Sequence, residues 1–145
     1  MISVGEPGAA VLHLNLPADY RCLSVLSAAV AAVVAQGNSI QDADSVMYDV
    51  QLAVQEACTN IVAHAYADRA NGRIEATIGR TDRPSELIIH LYDTGASFDP
   101  ASPLGPDLSK PDTHGYGLFL MRTLLDEVSY EHEDGRNHWQ LIKRL

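Results

Sequence analysis

The chain has 145 residues, 46% of them hydrophobic and 20% charged, which is the make-up of one globular domain with a core and excludes a disordered or low-complexity protein. Nineteen acidic residues against ten basic ones leave a formal charge of -9, which repels phosphate backbones and anionic lipid, so neither nucleic acid nor a membrane is an expected partner. Two cysteines, Cys22 and Cys58, are too few for a disulfide framework and lack metal-ligand spacing, which fits reduced, partly buried thiols in a cytoplasmic protein.

Residues 1–10 carry Gly, Pro and Ser without a period and read as a flexible tail; no basic segment followed by an apolar one marks a signal peptide. The longest apolar run, Ala28 to Ala35, falls far short of the ~20 residues that span a bilayer. Val11 to Leu16 alternates as a half-buried strand and Pro17 ends it. Asp19 offers an N-cap to a helix with Leu23, Leu26, Val30, Val33 and Val34 on its apolar face, stopped by Gly37-Asn38. A longer helix is expected from about Asp42 to Tyr66, its stripe formed by Val46, Val50, Ala53, Val54, Ala57, Ile61 and Ala65. Asn71-Gly72 marks a turn, Arg73 to Gly79 a strand, Thr81 to Ser85 a hairpin turn and Leu87 to Tyr92 a second strand.

From Asp93 to Thr113 the pattern changes. Four of the seven prolines fall here and the apolar period is lost, the mark of a long functional loop. Leu118 to Leu125 reads as a third helix; Val128 to His132, the Asp134-Gly135 turn and His138 to Leu145 read as a closing hairpin. The order β-α-α-β-β-loop-α-β-β predicts an α+β fold: a two-layer sandwich whose mixed, mostly antiparallel sheet is covered on one face by helices, in a single domain over 11–145.

Three spots carry chemistry. Glu56 and Asn60 lie four residues apart in the long helix, so they share a face one turn from each other. A carboxylate there suits a general base and a carboxamide oxygen suits Mg²⁺; a solvated helix face carries the same kind of pair. Asp93-Thr94-Gly95 puts a carboxylate at the end of an apolar strand, able to accept from an exocyclic amine or simply to close an Asx turn. His114-Gly115-Tyr116-Gly117-Leu118 precedes a helix, where two glycines let backbone approach a ligand and free N–H groups suit phosphate; a flexible helix entry needs the same glycines. It is neither a dinucleotide fingerprint nor a P-loop, since no strand precedes it and no Gly-Lys-Ser/Thr follows.

In this order the three spots resemble a GHKL-type ATPase domain and, more closely, the anti-sigma-factor serine-protein kinases of the RsbW and SpoIIAB kind. Glu56 to Tyr66, reading EACTNIVAHAY, resembles their N box, Asp93 to Asp99 the first glycine box, and Gly115 to Met121 with Leu125 to Val128 the second box and the helix after it. The resemblance implies a Bergerat-type ATP-binding sandwich. Glu56 would be the general base, Asn60 the Mg²⁺ ligand and Asp93 the reader of adenine. Ala63, His64, Gly95, Ser97 and Phe98 would line the nucleotide, and His114, Gly115, Tyr116, Gly117 and Leu118 would cradle its phosphates. An ATP lid is expected at about 96–114. The implied reaction moves the γ-phosphoryl of ATP to a serine of a STAS-domain anti-anti-sigma protein, while the same surface alternatively holds a sigma factor; a homodimer is the oligomer the family suggests.

The chain departs from that pattern in places. His114-Gly115 stands where the family often has Gly-Gly, and Thr113 where some relatives have an arginine. Asn137 and His138 or their neighbours stand where Gly-Thr is usual before the last strand. Those departures keep a second function open, a catalytically weak nucleotide-binding module that sequesters a regulatory partner. A sensor histidine kinase is disfavoured, because the residues before Val11 supply no helical hairpin with a phosphoacceptor histidine. His64 is expected to hold a structural hydrogen bond, His132 and His138 lack metal-ligand company, and Trp139 and Phe98 read as core or loop anchors.

Overall fold

Every alternating segment becomes a strand of one sheet. The computed structural model describes residues 11–37, 39–66, 71–97 and 116–145. Its elements are β1 (Val11–Pro17), α1 (Cys22–Val34), α2 (Ala43–Asn60), a π-helical turn (Ile61–Ala65), β2 (Arg73–Asp82), β3 (Ser85–Asp93), α3 (Tyr116–Leu124), β4 (Glu127–Glu133) and β5 (Arg136–Arg144). The sheet order is β1-β2-β3-β5-β4 and each neighbouring pair is antiparallel. The tail at 1–10 and most of the expected lid lie outside the described residues. No helix among the described residues is long and apolar enough to cross a membrane.

Period-two alternation decides which side chains meet the helices. Ile74, Ala76 and Ile78 of β2, Leu87, Ile89 and Leu91 of β3, and Trp139 and Leu141 of β5 enter the core. They meet Leu26, Val30 and Val33 of α1, Val50, Ala53, Val54 and Ala57 of α2, and Leu118 and Met121 of α3. This is the expected α+β sandwich. Trp139 is buried beside the Tyr130 ring, 4.8 Å away centroid to centroid. On the sheet's other face His90, Tyr92 and His138 stack, with the Arg136 guanidinium 4.1 Å from the Tyr92 centroid. Burial pulls the His90 and His138 pKa values down, and the two rings share a hydrogen bond between His90 Nδ1 and His138 Nε2, 2.7 Å apart.

Several boundaries shift, each for a local reason. Helix α1 starts at Cys22 because Asp19 closes a turn instead of capping: its Oδ1 accepts the Arg21 N–H at 2.7 Å and its carbonyl the Cys22 N–H at 2.9 Å. The long helix widens after Asn60, where the Tyr66 N–H reaches back five residues to the Ile61 carbonyl at 3.2 Å. The β2–β3 strands extend until only Arg83-Pro84 separates the paired Asp82 and Ser85. The Asp134-Gly135 turn is as expected, with positive φ at both residues (53° and 75°), the geometry that matches the twist of a two-residue hairpin. Cys22 and Cys58 are both buried and share a thiol–thiol hydrogen bond across the α1–α2 interface; that bond and burial push the Cys58 thiol well above its usual range.

One buried cation fastens α1 to the sheet. Arg80 of β2 is 4% exposed, and its Nη1 donates to the Val34 carbonyl at 2.5 Å and the Gln36 carbonyl at 2.7 Å. These are carbonyls at the end of α1, where the helix dipole is negative and the last acceptors lack helical partners. Arg80→Met is expected to destabilise the fold by about 2–4 kcal/mol in urea unfolding. Arg73→Met, which removes an exposed guanidinium bonded to Asn15, is expected to cost less than about 1 kcal/mol.

Candidate functional site

Helix α2 carries Glu56 and Asn60 on one face because they lie four residues apart, and both are half-buried beside the apolar stripe. Helix α3 lies against them. A methyl group on Gly117 would stand 3.2 Å from Asn60 Nδ2, 3.2 Å from Glu56 Oε2 and 3.5 Å from Asn60 Oδ1. Leu118 and Met121, buried in the core, hold α3 in that place. A carboxylate and a carboxamide therefore gather at the first turn of a helix, whose unpaired N–H groups favour anions.

The chain then changes pitch. Ala63 and His64 belong to the π-helical turn, and π turns recur where a helix is bent to function. The Ala65 carbonyl accepts the Ala96 N–H at 2.9 Å, and a methyl group on Gly95 would stand 2.3 Å from that carbonyl oxygen. Only glycine lets the strand-end loop approach so closely. The Tyr66 hydroxyl donates to the Arg73 carbonyl at 2.9 Å and accepts the Thr94 N–H at 2.8 Å, which fixes the same loop from the other side.

Asp93 ends β3 and is 3% exposed. Its Oδ1 accepts the Gly95 N–H at 2.9 Å and the Asn137 side-chain amide at 2.7 Å. Its Oδ2 is buried and has no hydrogen-bond partner among the described residues. Burial pushes the carboxyl above the usual aspartate range, against the opposing pull of the Asn137 and Gly95 bonds. A buried acceptor without a donor is costly, so an acceptor in this state gains when a donor reaches it. An exocyclic amine of a purine has that chemistry.

Two clusters thus emerge: Glu56, Asn60 and Gly117 at one end, Asp93, Gly95 and Asn137 at the other. The π-helical run from Asn60 to Ala65 joins them. A ligand with an amine-bearing ring and an anionic tail fits such a division. Ser97 is exposed within the stretch that resembles the first glycine box, and Tyr116 opens α3. Phe98, His114 and Gly115 lie outside the described residues. Sequence reasoning named Asn137 only as a departure. Its pairing with Asp93 across β3 and β5 makes it central.

Residues 16–143 match the family described as a histidine kinase-like ATPase domain. The chain is 33% identical over 132 residues to the serine-protein kinase RsbW of Bacillus cereus (strain AH820), across 86% of this chain and 79% of the relative. The same figures hold for RsbW of Bacillus anthracis. A solved structure of the RsbU and RsbW domains of a Mycobacterium tuberculosis protein shares the fold at a TM-score of 0.67 and 21% identity, covering 94% of this chain and 32% of that longer one. The histidine kinase domain of a blue-light activated kinase from Erythrobacter litoralis follows at a TM-score of 0.58 and 16% identity, covering 89% of this chain and 61% of that one. The chain belongs to the histidine kinase-like ATPase family.

Two outcomes test the site. Gly95→Ala forces backbone against backbone and is expected to cost about 1–3 kcal/mol in thermal unfolding, whereas Gly117→Ala meets only side-chain ends and is expected to change stability by less than about 1 kcal/mol. Asp93 has a folded pKa above its unfolded one, so the folded state binds more protons between the two values and stability falls as pH rises through that window. Asp93→Asn is therefore expected to melt at least as high as the parent at neutral pH, with the difference shrinking as pH falls toward 4 in a series of thermal melts.

Proposed function

We propose that the chain is an ATP-dependent serine-protein kinase and anti-sigma factor that phosphorylates a serine of a STAS-domain anti-anti-sigma protein. The observation that carries this reading is the meeting of Glu56 and Asn60 at Gly117 in a chain related to the RsbW serine-protein kinases. Asp93 Oδ2, which has no partner among the described residues, fits the exocyclic amine of adenine, so the residues present suit ATP. Asn60 Oδ1 is a hard oxygen donor that would hold Mg²⁺, and the ion when bound neutralises phosphate charge.

The chain's own residues then divide the work. Asp93, held by Asn137 and the Gly95 N–H, orients the base. The first turn of α3 receives the anionic tail. Glu56 accepts the proton of the partner's serine hydroxyl as that oxygen bonds to the γ-phosphorus. The bond from the γ-phosphorus to the bridging oxygen breaks and ADP departs with the electron pair. Positioning and charge stabilisation dominate such transfers, so a half-buried carboxylate near the attacking hydroxyl suffices as the base.

Charge supplies the switching logic. The product phosphoserine carries up to about 2 negative charges. It faces a chain of net charge -9, which favours release of the phosphorylated partner and leaves the surface to a sigma factor.

The test is phosphotransfer from labelled Mg-ATP to the STAS-domain protein encoded nearest to the gene. Wild type should label the partner's serine, and Glu56→Ala should slow transfer by about 100-fold or more while retaining ATP binding. Tight ATP binding by wild type with no transfer to any STAS partner offered would replace the kinase by the nucleotide-binding module that only sequesters.

A further inference from the structure

We propose that Cys22 and Cys58 form a hydroperoxide-sensitive thiol pair, which closes to a disulfide between α1 and α2 and slows the site that Glu56 and Asn60 build. They are the chain's two cysteines, and both are buried in one apolar cluster, Cys22 at 4% exposure and Cys58 at 0%. Their thiols are hydrogen-bonded across the helix interface, so the two sulfurs face one another before any oxidant arrives. A disulfide needs them to close to about 2.05 Å. The two sulfurs are not equivalent. Cys22 opens the 13-residue α1, at the positive end of the helix dipole, and keeps a sliver of exposure. The Cys58 thiol donates to Cys22 and holds its pKa down to about 7, whereas Cys58 itself is pushed well above the usual thiol range. Cys22 is thus the attacking sulfur and Cys58 the resolving one.

The oxidant is a hydroperoxide. The Cys22 thiolate attacks a peroxide oxygen and the O–O bond breaks; hydroxide leaves with the electron pair and takes up a proton as water, and Cys22 becomes a sulfenic acid. The Cys58 sulfur then attacks the Cys22 sulfur and the S–O bond breaks; the second hydroxide leaves with the Cys58 proton as water. Two thiols and one hydrogen peroxide thereby become one disulfide and two waters. In α2, Cys58 lies two residues from Glu56 and two from Asn60, and it turns toward α1 while those two meet at Gly117. Drawing the Cys58 sulfur toward Cys22 pulls this turn of α2 away from the first turn of α3. A displacement on the order of 1 Å between reacting groups costs up to about 100-fold in rate. That consequence rests on the kinase reading above, whereas the disulfide itself does not.

The reduced full chain, exposed to hydrogen peroxide and mapped by mass spectrometry without reductant, tests the pair. Cys22 should be joined to Cys58 within one chain, and dithiothreitol should reverse it. The folded chain should form the bond about tenfold or more faster than the chain unfolded in urea, because folding holds the sulfurs together. Cys58→Ala should stop at a Cys22 sulfenic acid that dimedone traps, and Cys22→Ala should leave Cys58 unreacted. Transfer from labelled Mg-ATP to the STAS partner should fall about tenfold or more on oxidation and return with dithiothreitol. In Cys22→Ala that transfer should not respond to peroxide. No disulfide in folded wild type, a disulfide only between chains, or closure as fast in urea overturns the proposal, whether or not the variants fold. A disulfide with unchanged transfer overturns the claim that it slows the site. No transfer by the reduced chain overturns the kinase reading instead, and the thiol pair then stands or falls on the mapping and the closure rate.

Discussion

The hydrogen bond from the Asn137 amide to the Asp93 carboxylate ties the last residue of β3 to the second residue of β5, and most of the site is arranged around it. The two residues are register partners, so the antiparallel pairing of β3 with β5 sets their distance before any side chain is chosen. Both point toward the helical layer, where water is excluded and a carboxylate is expensive to hold. The amide and the Gly95 N–H meet that cost at one oxygen only. The strand-end loop is drawn in by the same amide through the Gly95 and Ala96 carbonyls, and is pressed onto the π-helical turn at Ala65. One side chain thus fixes the acceptor, the loop and the distance to α2.

The change of pitch after Asn60 has its own consequence. An α-helical continuation would keep each carbonyl bonded four residues ahead. With the Tyr66 N–H reaching the Ile61 carbonyl instead, the wider turn ends at Ala65, whose carbonyl accepts the Ala96 N–H. The helix that presents Glu56 and Asn60 therefore also docks the loop that follows Asp93. The two clusters are coupled through backbone, not through long side chains. Backbone coupling of this kind loses fewer rotamers on ordering and holds its geometry more tightly.

Much of this was legible in the residues. The alternation in Val11–Leu16 and Arg73–Gly79 marks half-buried strands because side-chain direction has period two, and the short, nearly continuous apolar run Leu87–Tyr92 marks a buried one. The four-residue spacing of Glu56 and Asn60 placed them on one face, and the structure brings both to Gly117. The π-helical turn was not legible, since Ala57, Ile61 and Ala65 keep an α-helical spacing and the hydrogen-bond change leaves no mark in the apolar pattern. The Asp19 cap was misplaced because aspartate serves a turn as well as a helix end, and the local Arg21 N–H won. Asn137 was invisible as a partner of Asp93 because the bond spans 44 positions and depends on the β3–β5 register, which no local pattern states.

Asp93 also shows why the site is poorly optimised for stability. A carboxylate with one saturated oxygen and one without a partner among the described residues, 3% exposed, is a group that a sequence selected only for folding would replace by an amide or an apolar residue. Its retention makes sense when a ligand completes it. A nucleotide that donates to Oδ2 would remove the penalty on binding, so part of the affinity comes from relief of a strain already present in the free fold. Binding would then also stabilise the fold by mass action. A ligand with the wrong donor pattern would leave Asp93 unsatisfied and gain nothing from that relief.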